Sequence, residues 1–402
     1  MELDKIVSVY LKNNQNKSAT AKELGIPRTT VRRKIKQAQS NSQYKSLFEI
    51  KNSFEVDESS VLKQQIQELK KELNNLSKKA VSGKVFKNFA DKLENSEPKF
   101  PDWIKDSDET SGVTGVPSLV LSDWHFGEVV DSSQILECNE YNLDIAKKRV
   151  NRVVEKTIDL AFNHIANPSY PGIVVYLLGD MSTGIIHDEL KITAEKETLQ
   201  VQLELLGVLV QSINRLKEAF GKVFVPCVAG NHGRLSIKPR SKNAAYENLD
   251  WLLYMLLAKW FEDDEDVKFL VSDGEDAQFK IYGWNIRITH GGQYSGGDGI
   301  IGPVGPLVRG TMKKKSQLQG IDKDFDLLIC GHFHRHIQLS NIICNSSLVG
   351  LNEYAFKKGF PAEPPQQAFF LTTKEIMVAF PMAILADEPE KRENNNWVGW
   401  KE

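Results

Sequence analysis

Five short polar clusters, each directly after an apolar run, contain the side chains of this sequence best suited to chemistry. The runs have the length and β-branched composition of buried strands, so we expect the clusters at strand C-termini, where open α/β sheets gather ligand sites. The clusters are Asp123-Trp-His125, Gly179-Asp180, Gly230-Asn231-His232, His290 and Gly331-His332-Phe-His334. Five of the eight histidines lie in them. Asp, Asn and His together suit divalent transition metals, and one carboxylate can bridge two ions, so the clusters predict a two-metal site.

The chemistry that such a site favours is hydrolysis of a phosphoester. Two cations about 3.5–4 Å apart lower the pKa of a water molecule and stabilise an in-line displacement at phosphorus. A phosphodiester is anionic, and its transition state needs the charge neutralisation that two cations supply. The alternative to metal ligands is that these residues are core histidines and turn residues. That interpretation is reasonable for any single cluster, but it does not account for all five.

The order of the motifs, D-x-H, G-D, G-N-H, H and G-H-x-H, resembles that of the calcineurin-like metallophosphoesterase superfamily over roughly residues 115–385. The resemblance implies two divalent ions, with Mn²⁺ favoured and Fe or Zn compatible with the same ligands. It implies that the first ion is bound by Asp123, His125, Asp180 and His334, and the second by Asp180, Asn231, His290 and His332. It also implies that a metal-activated hydroxide attacks phosphorus while His232, which is not a ligand, assists the leaving group.

Two positions differ from the pattern usual in that superfamily. Gly233 follows the G-N-H motif where an acidic residue often stands, and hydroxyl-bearing residues up to Thr183 follow the G-D motif where another acid often stands. An acid that orients His232 must therefore come from elsewhere in the chain or be absent.

Three further residues are candidates for contact with the substrate. Arg234 offers a planar guanidinium that suits a phosphate. His187 lies between two motifs, where a surface histidine at a helix start is the alternative. Arg309 ends a glycine-rich stretch that begins at Gly291 and that could receive a polyanion as a loop, with an ordinary surface loop as the alternative.

The N-terminal end of the chain is basic. Residues 1–40 carry nine Lys or Arg against three acids, a net charge of +6, which leaves about −8 on the rest of a chain whose total is −2. A basic end on an acidic body predicts contact with nucleic acid at that end.

A helix-turn-helix is predicted within these residues. Apolar residues at helical spacing indicate a first helix from Leu3 to Leu11, and Gly25 is expected to end a short second helix. A third helix follows Pro27, and the pattern resembles the helix-turn-helix of DNA-binding regulators and recombinases. The residues expected to contact DNA are Arg28, Thr29, Thr30, Arg32, Arg33 and Lys36. The alternative is a basic three-helix adaptor that binds protein.

The rest of the chain divides into segments of different composition. The predicted segments are a helix-turn-helix domain at 1–40, a linker at 41–60, a heptad helix at 61–80, a second linker at 81–116, a catalytic domain at 117–385 and a polar tail at 386–402. The heptad pattern favours a homodimer, with docking of this helix on the catalytic body as the alternative. Strands alternating with helices at 142–166, 188–219 and 243–262 predict an α/β fold, a layered β-sandwich flanked by helices.

Composition and the lack of recognisable targeting signals indicate the cellular location of the protein. No apolar run is long enough for a transmembrane helix, and the first residues lack a signal-peptide pattern. The four cysteines show no C-x-x-C pairing and are expected to be reduced thiols. We therefore expect a cytoplasmic protein without a membrane partner.

The sequence thus predicts an enzyme, a two-metal phosphodiester hydrolase that acts on DNA as a nuclease. Two alternatives remain at this point. One is a phosphomonoesterase or nucleotide hydrolase whose N-terminal arm only locates it on DNA. The other is a non-enzymatic DNA-binding regulator, against which the complete set of candidate ligands argues.

Overall fold

A computed structural model of the chain describes residues 3–13, 16–41, 44, 100–105, 113–186, 190, 193–236, 238–294 and 302–388. The chain splits into two compact units, Met1–Val81 and Ser82–Glu402. The predicted heptad helix at 61–80 lies outside the described residues, as do most of the linker at 41–60 and most of the polar tail. The predicted homodimer through 61–80 therefore stays a prediction.

The N-terminal unit contains the three predicted helices: α1 (Leu3–Lys12), α2 (Lys17–Leu24) and α3 (Arg28–Gln39). The side chain of Asn16 accepts hydrogen bonds from the first turn of α2, and Gly25 ends this helix with a φ of 64°. Glycine suits that position because it adopts positive φ without a Cβ clash. The small core between the helices is formed by Ile6, Val7, Tyr10, Val31, Ile35, Ala38 and Tyr44. The predicted helix-turn-helix is confirmed.

The second unit alternates strands and helices. Its elements in chain order are β1 (Val116–Leu121), α4 (Leu143–Asn163), β2 (Ile173–Leu177), α5 (Thr198–Phe220), β3 (Val223–Cys227), α6 (Leu249–Trp260), β4 (Val267–Val271), β5 (Asp276–Ile281), β6 (Trp284–Thr289), α7 (Val304–Gln319), β7 (Leu327–Cys330), β8 (Ile337–Leu339), β9 (Ile342–Cys344), α8 (Glu353–Lys358), β10 (Gln366–Thr372) and β11 (Ala379–Leu385). Short 3₁₀ turns occur at Asp102–Ile104, Ser132–Ile135 and Ala245–Glu247.

The strands form two sheets. The first has the order β11-β10-β1-β2-β3-β4, and the second has the order β5-β6-β7-β9-β8. Strands β1 to β4 pair in parallel, and so do β6 with β7 and β7 with β9. Because parallel strands end at the same edge of a sheet, the loops that follow β1, β2 and β3 are neighbours, as are those that follow β6 and β7.

The two sheets pack face to face and are covered on both outer sides by helices. One core lies between the sheets and includes Val120, Tyr176 and Ile288. A second lies between the first sheet and α4, α5 and α6, and a third lies between the second sheet and α7. Burial on both faces explains why β1, β2 and β3 are continuous apolar runs. The predicted α/β sandwich with outer helices is confirmed.

The glycine-rich stretch expected as a loop is partly a helix. From Val304 onward it forms α7, which contains Gly305, Arg309 and Gly310. A Cβ at position 310 would lie 2.2 Å from the ring of Tyr294, so this glycine lets α7 pack closely on its neighbour. Gly310 therefore allows close packing of a helix. The amino-acid composition of the stretch does not distinguish such a helix from a glycine-rich loop.

Residues expected in connectors also pack on this unit. Ile104, within the predicted second linker, is buried between the sheets, and its carbonyl accepts a hydrogen bond from the Tyr282 N–H at 2.9 Å. Asp387, at the start of the predicted tail, forms a two-pronged ion pair with the buried guanidinium of Arg149.

No helix within the described part of the chain combines the length and apolar character of a membrane span. All four cysteines are free, and Cys138 is the exposed one. Burial raises the pKa of Cys227 well above its usual value, which makes this thiol unreactive.

Candidate metal centre

The predicted ligands come from five strand ends and converge at one edge of the sandwich. Three groups of side chains have ligand atoms within 4.8 Å of one another: Asp123, His125 and His334; His125, Asp180 and His232; and Asp180, His290 and His332. Asn231 joins the third group through His290. The structure thus brings together all seven candidate ligands and His232.

The first group presents two imidazole nitrogens toward one point. The Nε2 atoms of His125 and His334 are 3.1 Å apart, and the His334 Nε2 lies 3.5 Å from an oxygen of Asp123. Two imidazoles that bind one transition-metal ion at about 2.1 Å have their nitrogens roughly 3.0–3.4 Å apart. This spacing fits a shared divalent cation.

The second group is organised around His290. Its Nδ1–H donates to the main-chain carbonyl of Leu178 at 2.7 Å, so its Nε2 faces the centre. That Nε2 lies 3.0 Å from an oxygen of Asp180 and 3.0 Å from the side-chain oxygen of Asn231. A carbonyl that fixes one nitrogen while the other faces outward is the usual arrangement of a metal-binding histidine.

The two carboxylates of the centre are buried and ionised. Main-chain N–H groups help to stabilise them: that of His332 donates to Asp123 at 3.0 Å, and that of His232 donates to Asp180 at 2.7 Å. Burial opposes ionisation of Asp180, but the neighbouring His290 outweighs it and lowers the pKa of Asp180 well below its usual value.

The histidines divide into charged and neutral groups around these carboxylates. Burial works against the charged form of His290, but Asp180 outweighs it and raises the pKa of His290 to about 10. Burial and the charge of His290 lower the pKa of His332 to about 4, and burial with neighbouring histidines lowers that of His125 well below its usual value. The protonated imidazole of His290 thus partly neutralises the buried carboxylates. A divalent cation would neutralise them more fully, so this set of donor atoms fits the binding of cations.

The backbone around the centre is strained. Five of the seven candidate ligands have positive φ: Asp123 (53°), His125 (45°), Asp180 (50°), His332 (72°) and His334 (52°). Each such non-glycine residue costs on the order of 1–3 kcal/mol, and strain of this kind concentrates at functional sites.

Glycines let the ligand loops approach one another. A Cβ at Gly230 would lie 2.1 Å from an oxygen of Asp180, and a Cβ at Gly331 would lie 2.2 Å from an oxygen of Asp123. The glycine in each of these motifs therefore leaves room for the carboxylate that a neighbouring motif provides.

His232 lies beside the two groups, with a ring nitrogen within 4.8 Å of ligand atoms of His125 and Asp180. Its Nδ1 is 3.1 Å from the carbonyl oxygen of Thr183, so Nδ1 carries the proton of that hydrogen bond. A main-chain oxygen of the hydroxyl-rich loop after Asp180 thus takes the place of an acidic partner for His232.

Asp250 is the most informative residue that the motif analysis missed. It is buried in the first turn of α6, and its carboxylate accepts hydrogen bonds from the main-chain N–H groups of Asp180 (2.8 Å), Met181 (3.3 Å) and Gly230 (3.0 Å). Burial and the charge of Asp180 raise the pKa of Asp250 to about 7. A lone acid within the apolar run Leu249–Leu253 was the signal that could have identified it.

Glu128 is a second missed acid. It is fully buried, its pKa is raised by burial, and it accepts a hydrogen bond from Asn352 at 2.7 Å. Its other oxygen lies 3.6 Å from the Nδ1 of His125, a buried nitrogen without a hydrogen-bond partner among the described residues. The carboxylate is therefore placed to orient His125.

The predicted substrate contacts have different outcomes. Arg234 is half-buried near the centre, and its buried Nε has no hydrogen-bond partner within the described ranges. Arg309 is exposed on α7 rather than in a loop, and His187 lies outside the described residues.

The predicted DNA-contact residues lie on α3 of the N-terminal unit. Five of them are exposed: Arg28, Thr29, Arg32, Arg33 and Lys36. Thr30 is half-buried.

Fold and side chains together define a layered α/β protein with a candidate two-metal centre and a separate helix-turn-helix. A sequence profile of the family described as "Bacterial regulatory protein, Fis family" matches residues 5–37. No curated protein matches the sequence.

Three solved structures illustrate what the chain is similar to. Vacuolar Protein Sorting 29 from Cryptosporidium parvum is 13% identical over 63% of this chain and 84% of its own, with a TM-score of 0.26. A predicted phosphoesterase from Streptococcus pneumoniae is 12% identical over 68% and 99%, with a TM-score of 0.25. A dimetal phosphatase from Danio rerio is 11% identical over 68% and 99%, with a TM-score of 0.31. Similarity at this level carries no argument about activity.

Proposed function

We propose that the protein is a two-metal phosphodiester hydrolase that acts on DNA as a nuclease. The observation that carries the proposal is the convergence of seven buried or half-buried metal-capable side chains from five strand ends. Asp123, His125, Asp180 and His334 would bind one ion, and Asp180, Asn231, His290 and His332 would bind the other. Bound divalent cations supply water activation and neutralise charge that develops on a phosphoester.

The chain's own groups account for orientation and proton transfer. We assign the donation of a proton or a hydrogen bond to the oxygen that leaves phosphorus to His232, whose Nδ1 contacts the carbonyl oxygen of Thr183 and whose ring lies beside His125 and Asp180. The guanidinium of Arg234, two residues further along, is suited to a non-bridging phosphate oxygen. Asp250 fixes the loops of Asp180 and Gly230 relative to each other through three hydrogen bonds.

DNA as the substrate rests on the N-terminal unit. The exposed face of α3 carries Arg28, Arg32, Arg33 and Lys36. In a helix-turn-helix, the helix in the position of α3 is the one that enters the major groove. Basic side chains on one helix face neutralise DNA phosphates. The match of residues 5–37 to a bacterial regulatory family supports the same partner. An enzyme that is brought to DNA and hydrolyses phosphoesters is most simply a nuclease.

The direct test is a gel assay with metal-stripped protein. Single-stranded, linear and supercoiled DNA are incubated with and without Mn²⁺, and His232→Ala is run beside the wild type. We expect cleavage that requires the metal and is strongly reduced in the variant. Intact DNA at full metal occupancy would contradict nuclease activity.

Small substrates separate this proposal from the monoesterase alternative. A phosphodiesterase should hydrolyse bis-p-nitrophenyl phosphate faster than p-nitrophenyl phosphate under the same metal conditions. The reverse preference would favour a phosphomonoesterase or nucleotide hydrolase, with the helix-turn-helix serving only for location.

A further inference from the structure

An exposed aromatic and basic surface is formed by α8 and the residues directly after it. The helix α8 contains no buried residue. Tyr354, Phe356 and Phe360 are 57%, 40% and 54% exposed, and the neighbouring Lys357 and Lys358 are exposed as well. We refer to these five residues as the α8 surface. Three exposed rings within seven residues are more than scattered surface apolar residues and indicate a binding surface.

Two of the rings and one lysine of the α8 surface are close together. The ring centroids of Tyr354 and Phe360 are 6.1 Å apart at an angle of 76°, and the ammonium of Lys358 lies 5.7 Å from the centre of the Tyr354 ring. The acid of this helix, Glu353, accepts a hydrogen bond from the main-chain N–H of Asp131 at 2.8 Å. The exposed charged side chains of α8 are the two lysines, whereas Glu353 is half-buried.

Two side chains connect the α8 surface to the candidate centre. The side-chain oxygen of Asn352 accepts from the N–H of Ala355 in the first turn of α8, and its amide donates to Glu128 at 2.7 Å. Glu128 in turn lies 3.6 Å from the Nδ1 of His125. These contacts join the first turn of α8 to a carboxylate that faces a candidate metal ligand.

We propose that the α8 surface binds unpaired nucleotides of a DNA strand beside the centre, an inference that rests on the proposed phosphodiesterase function. Aromatic rings stack on bases of any identity, and lysines neutralise the phosphates between them. Bases are available for such stacking in a single strand, whereas in a duplex they are already stacked and paired. Lys357 and Lys358 beside the rings give the surface the positive charge that a polyanionic strand requires.

The test measures binding rather than cleavage. Full-length protein in EDTA is titrated into a fluorescent oligo-dT of about 12 nucleotides and into an abasic oligonucleotide of equal length. The background carries Arg32→Ala and Arg33→Ala, so that α3 contributes little. We expect Tyr354→Ala and Phe360→Ala to weaken oligo-dT binding roughly 5- to 150-fold, the range of one lost stacking contact, and to affect the abasic strand much less.

The matched control is Trp260→Ala. Trp260 is an aromatic residue that is 65% exposed and lies at the C-terminal end of α6. Its replacement removes an exposed ring but leaves the five residues of the α8 surface unchanged. Its oligo-dT affinity should equal that of the unchanged background.

Each other outcome has a definite meaning. Equal oligo-dT affinity of the α8 variants and their background would overturn the proposal. A changed oligomeric state in light scattering, with unchanged oligo-dT affinity, would assign the surface to self-association and also overturn it. Hydrolysis of bis-p-nitrophenyl phosphate by the wild type tests the proposed function separately. If the wild type does not hydrolyse this diester but the α8 variants bind oligo-dT more weakly, the proposed hydrolase activity is rejected and the proposed nucleotide binding by the α8 surface is retained.

Discussion

At the scale of single residues, the candidate centre depends on groups that bind no ion themselves. Gly331 leaves room for the carboxylate of Asp123, and Gly230 leaves room for that of Asp180. Asp250 and Glu128 contact the ligand loops from behind. These residues set the position of the ligands, so their substitution should change metal affinity without removing any ligand atom.

Gly331→Ala should distort the site of Asp123. The new Cβ would lie 2.2 Å from an oxygen of Asp123 and 2.5 Å from the hydroxyl of Ser122, both of which are buried. Overpacking of this kind costs about 1–3 kcal/mol, and displaced ligands typically lower metal affinity about 10- to 100-fold. Calorimetric titration with Mn²⁺ and urea denaturation measure the two effects.

Gly207→Ala is the control for that experiment. No atom lies within 4 Å of the Cβ position at Gly207 in α5, so alanine should raise the free energy of unfolding by about 0.5–1 kcal/mol and leave metal affinity unchanged. Wild-type Mn²⁺ affinity in Gly331→Ala would show that the close approach does not matter.

Asp250→Asn should weaken metal binding although Asp250 is not a ligand. The amide replaces one acceptor oxygen by an NH₂ group that faces a main-chain N–H, so at least one of the three hydrogen bonds to the ligand loops is lost. We expect an affinity about 10- to 100-fold lower in Mn²⁺ titrations.

Asp144→Asn provides a matched comparison for Asp250→Asn. Both aspartates follow an Asn-Leu pair in the first turn of a helix, but Asp144 is exposed. The two variants should differ clearly in Mn²⁺ affinity, and equal affinities would mean that Asp250 does not position the loops.

At the scale of elements, α3 and the five strand ends carry the two proposed activities. In α3 the apolar residues Val31 and Ile35 are buried, and the helical period of 3.6 residues then places most of the basic side chains outward. The same short segment thus provides a core for three helices and an exposed cationic face.

Arg32→Ala combined with Arg33→Ala should weaken duplex DNA binding and its dependence on salt. Each lost phosphate contact lowers the slope of log affinity against log salt by about 0.9, so a decrease of up to about 2 is expected. Fluorescence anisotropy at several salt concentrations measures it. Lys5→Ala, which removes an exposed charge from α1, should leave the slope near the wild-type value. An unchanged slope in the α3 variant would argue for the protein-binding adaptor.

At the scale of the whole molecule, the packing of the two sheets brings charged side chains from both sheets into contact at the candidate centre. Asp180 comes from the first sheet and His290 from the second, and their contact of 3.0 Å raises the pKa of His290 to about 10. Folding therefore couples a proton to the site that a cation would occupy.

Metal affinity should rise with pH because of this coupling. His290 must lose its proton to bind an ion, so apparent affinity should increase up to tenfold per pH unit between pH 6 and 8. Calorimetric titrations in buffers of different ionisation enthalpy should count close to one proton released at pH 7. Release of no proton would contradict the assignment of His290 as a ligand.

The stability of the metal-free protein should change in the opposite direction. The raised pKa of His290 means that the native state binds more protons than the unfolded state between pH 6.5 and about 10. Its contribution to the free energy of unfolding is thus complete below pH 6.5 and is lost as the pH rises through about 10. Urea denaturation at pH 6.5 and 9 in EDTA measures it, and His290→Asn should reduce the difference.

Local sequence determined the elements and the candidate ligands. Apolar runs define β1, β2 and β3, and the helix stop at Gly25 defines the end of α2, because hydrophobic period and backbone freedom act within a few residues. The D-x-H and G-H-x-H motifs identify ligand types because carboxylate and imidazole chemistry belongs to single side chains.

Only the tertiary structure decided which distant groups meet. Asp250 lies 70 positions from Asp180, and nothing near it in the chain shows that its carboxylate accepts the N–H of that residue. The same holds for Glu128 beside Asn352, and for Gly310 beneath Tyr294 in a stretch that composition indicated to be a loop. Local propensity specifies what each segment can form, whereas contacts between segments depend on the packing of the two sheets, which the sequence encodes only collectively.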